Sequence, residues 1–474
     1  MSDRIDTDIC VIGAGSGGLP VAAAAAAFGV PVVLVERGRM GGDCLNYGCV
    51  PSKALLAAGK RAHHMRNAAG FGIANVEPQI NFGRVNNHIQ QVIAAIAPND
   101  SVERFTGLGV RVIQGEGRFT SRRTLSVGGK EIRARRFVIA TGSSPATPPI
   151  RGLADVDYMT NETVFDLRRR PASLIVIGGG PIGMEMAQAF RRLGSQVVVL
   201  EAATPLGRDD PEATEVVLRA LRADGIDIRA GVRIAKVEKR ANGVRVIIET
   251  EGGREELDAS DLLVAAGRKP NLDALDLARA KVERSPRGVV VDAGLRTTNR
   301  RIYAIGDAAG GLQFTHMANY HAGLVIRNAL FRQPVTVKTG HIPRVTFTDP
   351  ELAHVGLDER TARKENMKIR VLRWPYHEND RAQAERETEG FIKILTDRKG
   401  RILGVTIVGA NAGEMINMWA LAISQNMKIG AFTGFVSPYP TLAEIGKRAA
   451  ITFYTPGLSS RWLQRLIVFL RKFG

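Results

Sequence analysis

One unit occurs twice, and it constrains the fold more than any other feature of the chain. Thr7–Ile12 reads as a short apolar strand running into "GAGSGG"; an alanine-rich helix is expected from about Leu19 to Phe28, and "VPVVLVE" supplies a second strand ending at Glu36. The second copy starts at "SLIVIGGGPIGMEMAQAFRRLG" and closes with "SQVVVLE", ending at Glu201. Each copy carries G-x-G-x-x-G between strand and helix: Gly13, Gly15 and Gly18, then Gly178, Gly180 and Gly183. The first glycine allows a tight turn, the second lets backbone approach a pyrophosphate, and the third lets helix pack on strand. The helix N-terminus then faces the phosphates. A lone pattern of this kind can be a mere packing turn. Here the flanking strand and helix, and a carboxylate placed for a ribose 2′-hydroxyl, point to dinucleotides. Two copies about 165 residues apart imply two such modules. At the second, Glu201 would repel a 2′-phosphate, which favours NADH over NADPH; Arg208 nearby acts in the opposite sense.

A chain of 474 residues has room for two or three domains. Between the two units, "RRFVIATGSSPATPPI" is a strand, a glycine turn and a proline-rich exit. Similar strand-to-glycine endings recur in "DLLVAAGRKPN" and "RIYAIGDAAGG". After about residue 340 the texture changes to strands in "RVTFT", "IRVLRWPY", "GFIKILTD" and "RILGVTIVG", then a helical region and a basic tail. The expected fold class is α/β, with two doubly wound Rossmann-type nucleotide-binding domains and a C-terminal α+β domain.

The chain has three cysteines, and two stand five positions apart in "DCLNYGCVPSK", Cys44 and Cys49. Cys10, inside the first strand, is expected to be an inert core residue. In a regular helix, residues five apart have Cα atoms more than about 7 Å apart, too far for an unstrained disulfide. A bond between Cys44 and Cys49 therefore needs an irregular turn, which Gly48 can supply. A helix beginning near Pro51 would help stabilise a thiolate. Metal binding is the rival reading, but two thiolates without a nearby Cys/His cluster make a poor zinc site. No secretory signal is legible at the start, and no apolar run reaches the roughly 18–20 residues needed to span a bilayer. A cytoplasmic, reducing location is expected, where a disulfide cycles rather than braces.

Two dinucleotide modules beside a cysteine pair suggest a relay from nicotinamide through a flavin to a dithiol. At this point the sequence resembles the flavin-dependent pyridine nucleotide–disulfide oxidoreductases of class I, the group of dihydrolipoyl dehydrogenase, glutathione reductase and mercuric reductase. The resemblance rests on "GAGSGG", "GGDCLNYGCVPSK", "ATGSSP", "GGGPIGMEMA", "AAGRKPN", "YAIGDAAG" and "PYPTLAE", in the family's order over nearly the whole chain. It implies FAD and a redox-active disulfide between Cys44 and Cys49. Cys44 would be the exchange thiol that meets substrate, and Cys49 the thiolate against the flavin. Lys53 and Glu185 would pair beside flavin N5, Asp307 would bind the ribityl chain, and Glu36 would hold the adenosine ribose. Gly42, Thr141, Gly142 and Gly267 would complete the cofactor contacts. The implied division is an FAD domain over 1–145 and 265–340, an NAD domain over 146–264, a homodimerisation domain over 341–455, and a tail from 456 to 474.

The chain departs from its relatives at three places. Asp43 stands where better-known members usually have Thr, near the FAD pyrophosphate, where a carboxylate is electrostatically odd. Dihydrolipoyl dehydrogenase and glutathione reductase carry a His, followed five positions later by a Glu that orients it. This chain has Tyr439 and Glu444 there, expected to reach the partner's exchange thiol. Tyrosine, with an ordinary pKa near 10, is a poor general base at neutral pH. Tyrosine there is similar to mercuric reductases, but their C-terminal cysteine pair has no counterpart after Cys49. His316 and His321 are expected to pack around the flavin or the following helix. Third, the tail from Arg461 to Phe473 places Trp462, Leu463, Leu466, Ile467, Phe469, Leu470 and Phe473 on one helical face. Arg461, Gln464, Arg465, Arg471 and Lys472 fall on the other, with no acidic residue. A basic amphipathic helix of this kind lies on an anionic membrane or docks on the dimer.

The formal charge is +18. The basic residues are dispersed, with small clusters at Arg133–Arg136 and Arg168–Arg170 and no aromatic interleaving, so nucleic acid is not the expected partner. The leading expectation is an NADH-using oxidoreductase acting on a disulfide or another thiol-reactive oxidant. The alternatives are a mercuric reductase-like metal ion reductase, a dihydrolipoyl dehydrogenase, a membrane-surface NADH:quinone dehydrogenase, or a non-enzymatic NADH-sensing flavoprotein.

Overall fold

The computed structural model describes residues 4–250, 252–458 and 460–473. They form two compact units: one comprises residues up to 178, 189–200 and 232–337, the other 179–188, 201–231 and 338 onward.

The first unit is built on a seven-stranded sheet. Strand β1 (Arg4–Ile12) leads through the first glycine turn into helix α1 (Gly18–Ala27), and β2 (Val32–Glu36) returns beside β1 in parallel. Helices α2 (Gly42–Asn46) and α3 (Cys49–Arg66) follow directly. Later come β3 (Arg111–Gln114), β4 (Gly117–Ser121), β5 (Thr124–Val127) and β6 (Lys130–Ile139), giving the order β3-β2-β1-β6-β5-β4. The long β6 is used twice. Its whole length runs parallel to β1, while on its far edge β5 pairs antiparallel with its first half and the strand Ile302–Ala304 pairs parallel with its second half. A strand buried on both faces must be apolar throughout, which is why "ICVI" in β1 and "VVLV" in β2 do not alternate. Ile9, Val11 and Leu34 pack against α1, while Cys10, Ile12, Val33 and Val35 pack on the opposite face with Phe119, Leu125 and Phe137. Cys10 is fully buried, and burial pushes its thiol well above the ordinary range, as suits an inert core residue. The helix falls where the glycine spacing predicts it, within one residue at each end.

The same unit holds strand Gln196–Glu201 up to residue 200, with Ser173–Ile177 and Asp261–Val264 as parallel neighbours in that order, and an antiparallel meander over 233–259. The meander carries its own apolar layer, with Val237, Val246 and Ile248 buried against Ile175 and Val264.

In the second unit the four strands read from the alternating segments are present. With Glu351–Gly356 they make a five-stranded antiparallel sheet ordered Arg344–Thr346, Glu351–Gly356, Ile402–Gly409, Phe391–Asp397, Ile369–Pro375. Helix Ala412–Ser424 covers it through the buried Ile416 and Trp419, and Trp419 stacks on Phe432 at 4.0 Å between ring centroids. Two Rossmann-like parallel sheets and this α+β part realise the expected α/β class.

Candidate active site

The first glycine turn leaves no room for side chains. Gly13 has φ +107°, and a Cβ there would lie 2.3 Å from the Ala140 carbonyl oxygen; one at Gly18 would meet the Gly13 oxygen at 1.8 Å. Gly42, φ +60°, approaches Gly15 so closely that its Cβ would stand 2.8 Å from the Gly15 Cα. Glu36 at the end of β2 turns back onto this loop, Oε2 accepting from the Ala14 N–H and Oε1 from the Gly38 N–H, both at 2.6 Å. Close-packed backbone at a helix N-terminus with a fixed carboxylate beside it fits a dinucleotide's pyrophosphate and ribose. Thr141 adds a second sign of fit: its Oγ1 is buried without a hydrogen-bond partner. Gly142 and Gly267 both have positive φ, with open space where a Cβ would stand.

The second turn repeats the construction. Gly178 has φ +114°, and its Cβ would meet the Ala265 oxygen at 2.5 Å, while Gly180 faces open space. Helix Pro181–Arg192 follows and contains Gly183. Glu201 accepts from the Gly179 N–H at 2.7 Å and the Ala203 N–H at 2.8 Å. Its negative charge is therefore fixed at the turn, as that of Glu36 is in the first.

Cys44 lies in α2, and Cys49 is the first residue of α3. The helix breaks between them at Tyr47 and Gly48, the latter at φ −123°, ψ −114°. A Cβ on Gly48 would lie 2.9 Å from Asp43 Oδ2 and 3.0 Å from the Asp43 carbonyl oxygen, so the break is tight enough to require glycine. Helix α3 begins two residues before the position expected from Pro51. Proline in a first turn costs nothing, because the N–H it lacks would have no partner there. Cys49 thereby sits at the positive end of an 18-residue helix, which stabilises a thiolate. All three cysteines are in the thiol form rather than in disulfides. Cys44 is half-buried and hydrogen-bonded to Cys49. That bond, then burial, then the charge of Cys49 hold its thiol far above the ordinary range; Thr315 acts in the other direction, and the charge of Asp43 adds a smaller upward push. Cys49 Sγ is 3.5 Å from Thr315 Oγ1, at the start of helix Thr315–Ala329.

Asp307 lies in the turn Gly306–Ala309 and accepts from Ser143 Oγ at 2.5 Å. Burial raises its pKa, and Arg268, 3.9 Å away, opposes the shift. His321 is buried; its Nδ1 accepts from the Gly306 N–H at 3.1 Å, and desolvation lowers its pKa to about 4, so it is neutral at physiological pH. Its Nε2 is buried without a hydrogen-bond partner, and His316 stacks on Phe314. Lys53 lies one turn along α3 from Cys49. Glu185 belongs to the second unit, where it is buried and accepts from the Phe347 N–H at 2.9 Å.

Tyr439 is 68% exposed, and its hydroxyl donates to Asp380 Oδ2 at 2.7 Å. This bond to a carboxylate is the main cause of a raised phenol pKa. Glu444 opens helix Glu444–Ile451 and contributes only a weaker charge effect on the phenol. The carboxylate that holds the ring is thus Asp380, 59 positions upstream of Tyr439, and no motif marks it. Arg268, Ser143, Asn161 and Thr315 were also absent from the sequence reading of the site. Two of them lie inside quoted motifs, "AAGRKPN" and "ATGSSP", whereas Asn161 has no local signal.

Among the described residues there is no cluster of His, Cys, Asp and Glu able to hold a metal ion, and no helix is long and apolar enough to cross a membrane. The tail forms helix Arg461–Leu470, on which Trp462, Ile467, Val468, Phe469 and Leu470 are exposed.

Comparison with known proteins matches residues 7–322 to the pyridine nucleotide-disulphide oxidoreductase family and residues 342–450 to its dimerisation domain. A mercuric reductase of Bacillus cereus is 37% identical over 451 residues, covering 94% of this chain and 72% of the relative. A dihydrolipoyl dehydrogenase of Staphylococcus aureus is 35% identical over 460 residues, covering 94% and 96%. Among solved structures, LpdA from Mycobacterium tuberculosis superposes with a TM-score of 0.87 at 25% identity, covering 94% of this chain and 99% of that one. The HOCl-induced flavoprotein disulfide reductase RclA from Escherichia coli gives 0.83 at 27%, again covering 94% and 99%.

Proposed function

The chain belongs to the pyridine nucleotide-disulphide oxidoreductase family of FAD-dependent, dimer-forming enzymes, and we propose that it uses NADH to reduce a disulfide or another thiol-reactive oxidant through Cys44 and Cys49. The observation that carries this reading is the placement of the two thiols: hydrogen-bonded to each other, one at a helix N-terminus, immediately after a glycine cradle that fits FAD. FAD held there would supply a hydride acceptor for the nicotinamide and a two-electron donor for the disulfide. The overall balance is NADH, a proton and a disulfide giving NAD⁺ and two thiols.

In this reading Cys44 exchanges with substrate and Cys49 faces the flavin. Lys53 and Glu185 pair near the flavin, Asp307 holds its ribityl chain, and Glu36 its adenosine ribose. Gly42, Thr141, Gly142 and Gly267 line the same cofactor, and Glu201 selects NADH over NADPH. The proposed domain division is 1–145 with 265–340 for FAD, 146–264 for NAD, 341–455 for dimerisation, and the tail from 456. In the homodimer Tyr439 approaches the partner's exchange thiol. A phenol already donating to Asp380 with a raised pKa is a weak acid–base partner, so oxidants with good leaving groups suit this site better than lipoamide or glutathione disulfide.

The relatives named mercuric reductase and dihydrolipoyl dehydrogenase keep metal-ion and lipoamide reduction as the competing substrates. The protein is proposed to be cytoplasmic, with its basic amphipathic tail docked on the dimer or lying on anionic lipid. From Ile445 onward the sequence has six basic residues and no acidic one, and the apolar side chains of the tail helix are exposed.

The decisive experiment follows NADH oxidation with a disulfide panel, with a quinone and with no acceptor, in the unmodified enzyme and in Cys44→Ser and Cys49→Ser. Disulfide-dependent turnover lost in both variants is expected. Normal disulfide turnover by either variant, or turnover with quinone alone, would overturn the proposal.

A further inference from the structure

The carboxylate between the glycine cradle and Cys44 has no part in the relay just described. Asp43 Oδ2 lies 3.2 Å from the Arg268 guanidinium, and Oδ1 accepts from Asn161 Nδ2 at 3.0 Å. The same Asn161 amide donates to the Tyr47 carbonyl at 3.1 Å. One side chain thus ties the beginning of α2 to the residue that ends it, across the loop separating the two cysteines. Arg268 is itself held rigidly. Its side chain is 14% exposed, with Nε donating to Ser143 Oγ and Nη2 to the Ser143 carbonyl, both at 2.7 Å. Ser143 in turn donates to Asp307, so a continuous chain of polar contacts runs from Asp307 to the residue before Cys44.

The arrangement pairs the Asp43 carboxylate with the Arg268 guanidinium, which offsets part of the charge that makes its sequence position electrostatically odd. It also has a consequence for the thiols. Arg268 is one positive charge facing two carboxylates, Asp43 at 3.2 Å and Asp307 at 3.9 Å. Negative charge therefore remains next to Cys44. The groups acting on the Cys44 thiol are the Cys49 thiol, the Thr315 hydroxyl and Asp43. Arg268 pairs with Asp43, Asn161 is neutral, and Lys53 lies one turn beyond Cys49 on α3.

We infer that Asp43, clamped by Arg268 and Asn161, is a positioning residue that keeps the proton of the half-ionised dithiol on Cys44 and the thiolate charge on Cys49. Removing a negative charge beside a thiol favours its ionised form, so neutralising Asp43 lowers the Cys44 pKa and moves thiolate onto Cys44. The inference rests on Cys44 and Cys49 being the redox pair. Its test is independent of turnover.

The FAD-loaded enzyme is reduced with a phosphine under anaerobic conditions. Iodoacetamide alkylation of Cys44 and of Cys49 is then followed by peptide mass spectrometry across pH. In Asp43→Asn, which keeps the side-chain shape and an oxygen for one of the two donors, the Cys44 profile is expected to shift to lower pH. At neutral pH its alkylation should rise at least about threefold, the factor for one unit charge about 6 Å away through water. Asp43→Glu keeps the charge and is expected to restore the unmodified profile. If Asp43→Asn yields no flavoprotein, Asp43→Thr carries the same test. An unchanged or upward-shifted Cys44 profile in a neutral variant that retains FAD would overturn the inference. Failure of NADH to reduce the pair would defeat the functional proposal instead, and leaves this measurement interpretable.

Discussion

Glu201 offers a prediction whose size follows from geometry. Its two carboxylate oxygens are tied to backbone N–H groups at 2.7 and 2.8 Å, so its charge cannot swing away when a nucleotide arrives at the turn. A 2′-phosphate carries roughly two negative charges. At about 5 Å from the carboxylate, the repulsion is about 1.7 kcal/mol at the dielectric of water and several-fold more at a partly buried site. Even the lower figure corresponds to about an 18-fold preference for NADH. The assay is kcat/KM for NADH and NADPH with one disulfide acceptor. Glu201→Gln removes the charge and keeps an oxygen for one of the two N–H groups, so the preference should fall to within about threefold of unity without loss of FAD. Arg208, exposed seven positions on, is the group that would oppose this. Equal use of both nucleotides by the unmodified enzyme would refute the reasoning and make Arg208→Ala the next variant. A preference that survives Glu201→Gln would show that selection lies elsewhere.

Two further outcomes test the acid–base and tail readings. General acid help is typically worth about a hundred- to ten-thousand-fold, so wild-type kcat/KM for lipoamide should fall far below that for an activated aromatic disulfide; Tyr439→Phe should change the latter little and Tyr439→His should raise the former. Comparable lipoamide and activated-disulfide turnover by the unmodified enzyme would instead require another base near Cys44. Deleting residues 459–474 should abolish co-sedimentation with vesicles containing anionic lipid while leaving FAD content and dimer mass intact, and dissociation of the dimer would show that the tail docks on protein.

The relation between pattern and structure differs from one part of the site to the next. The glycine turns were legible because a backbone that must admit a pyrophosphate excludes every side chain at fixed intervals: a Cβ on Gly13 or Gly18 would overlap a carbonyl oxygen, so sequence and geometry coincide. The strands beside them were legible because burial on both faces forces unbroken apolar runs. The break between Cys44 and Cys49 was expected from spacing alone, since no regular helix brings residues five apart within bonding reach.

Other features depend on contacts between distant segments, which local pattern does not encode. Helix α3 starts at Cys49 rather than near Pro51, because proline is tolerated anywhere in a first turn and so does not mark its beginning. Asp380 holds Tyr439 from 59 positions away, and Asn161 reaches Asp43 across 118, each joined only when separate loops converge. The chain's sequence alone determined that two dinucleotide cradles and a cysteine pair exist, because their chemistry is written in steric exclusions along a few consecutive residues. Only the tertiary structure decided where the charge of Asp43 points, because the direction of a flexible carboxylate is set by the cation that packing brings to it, here Arg268.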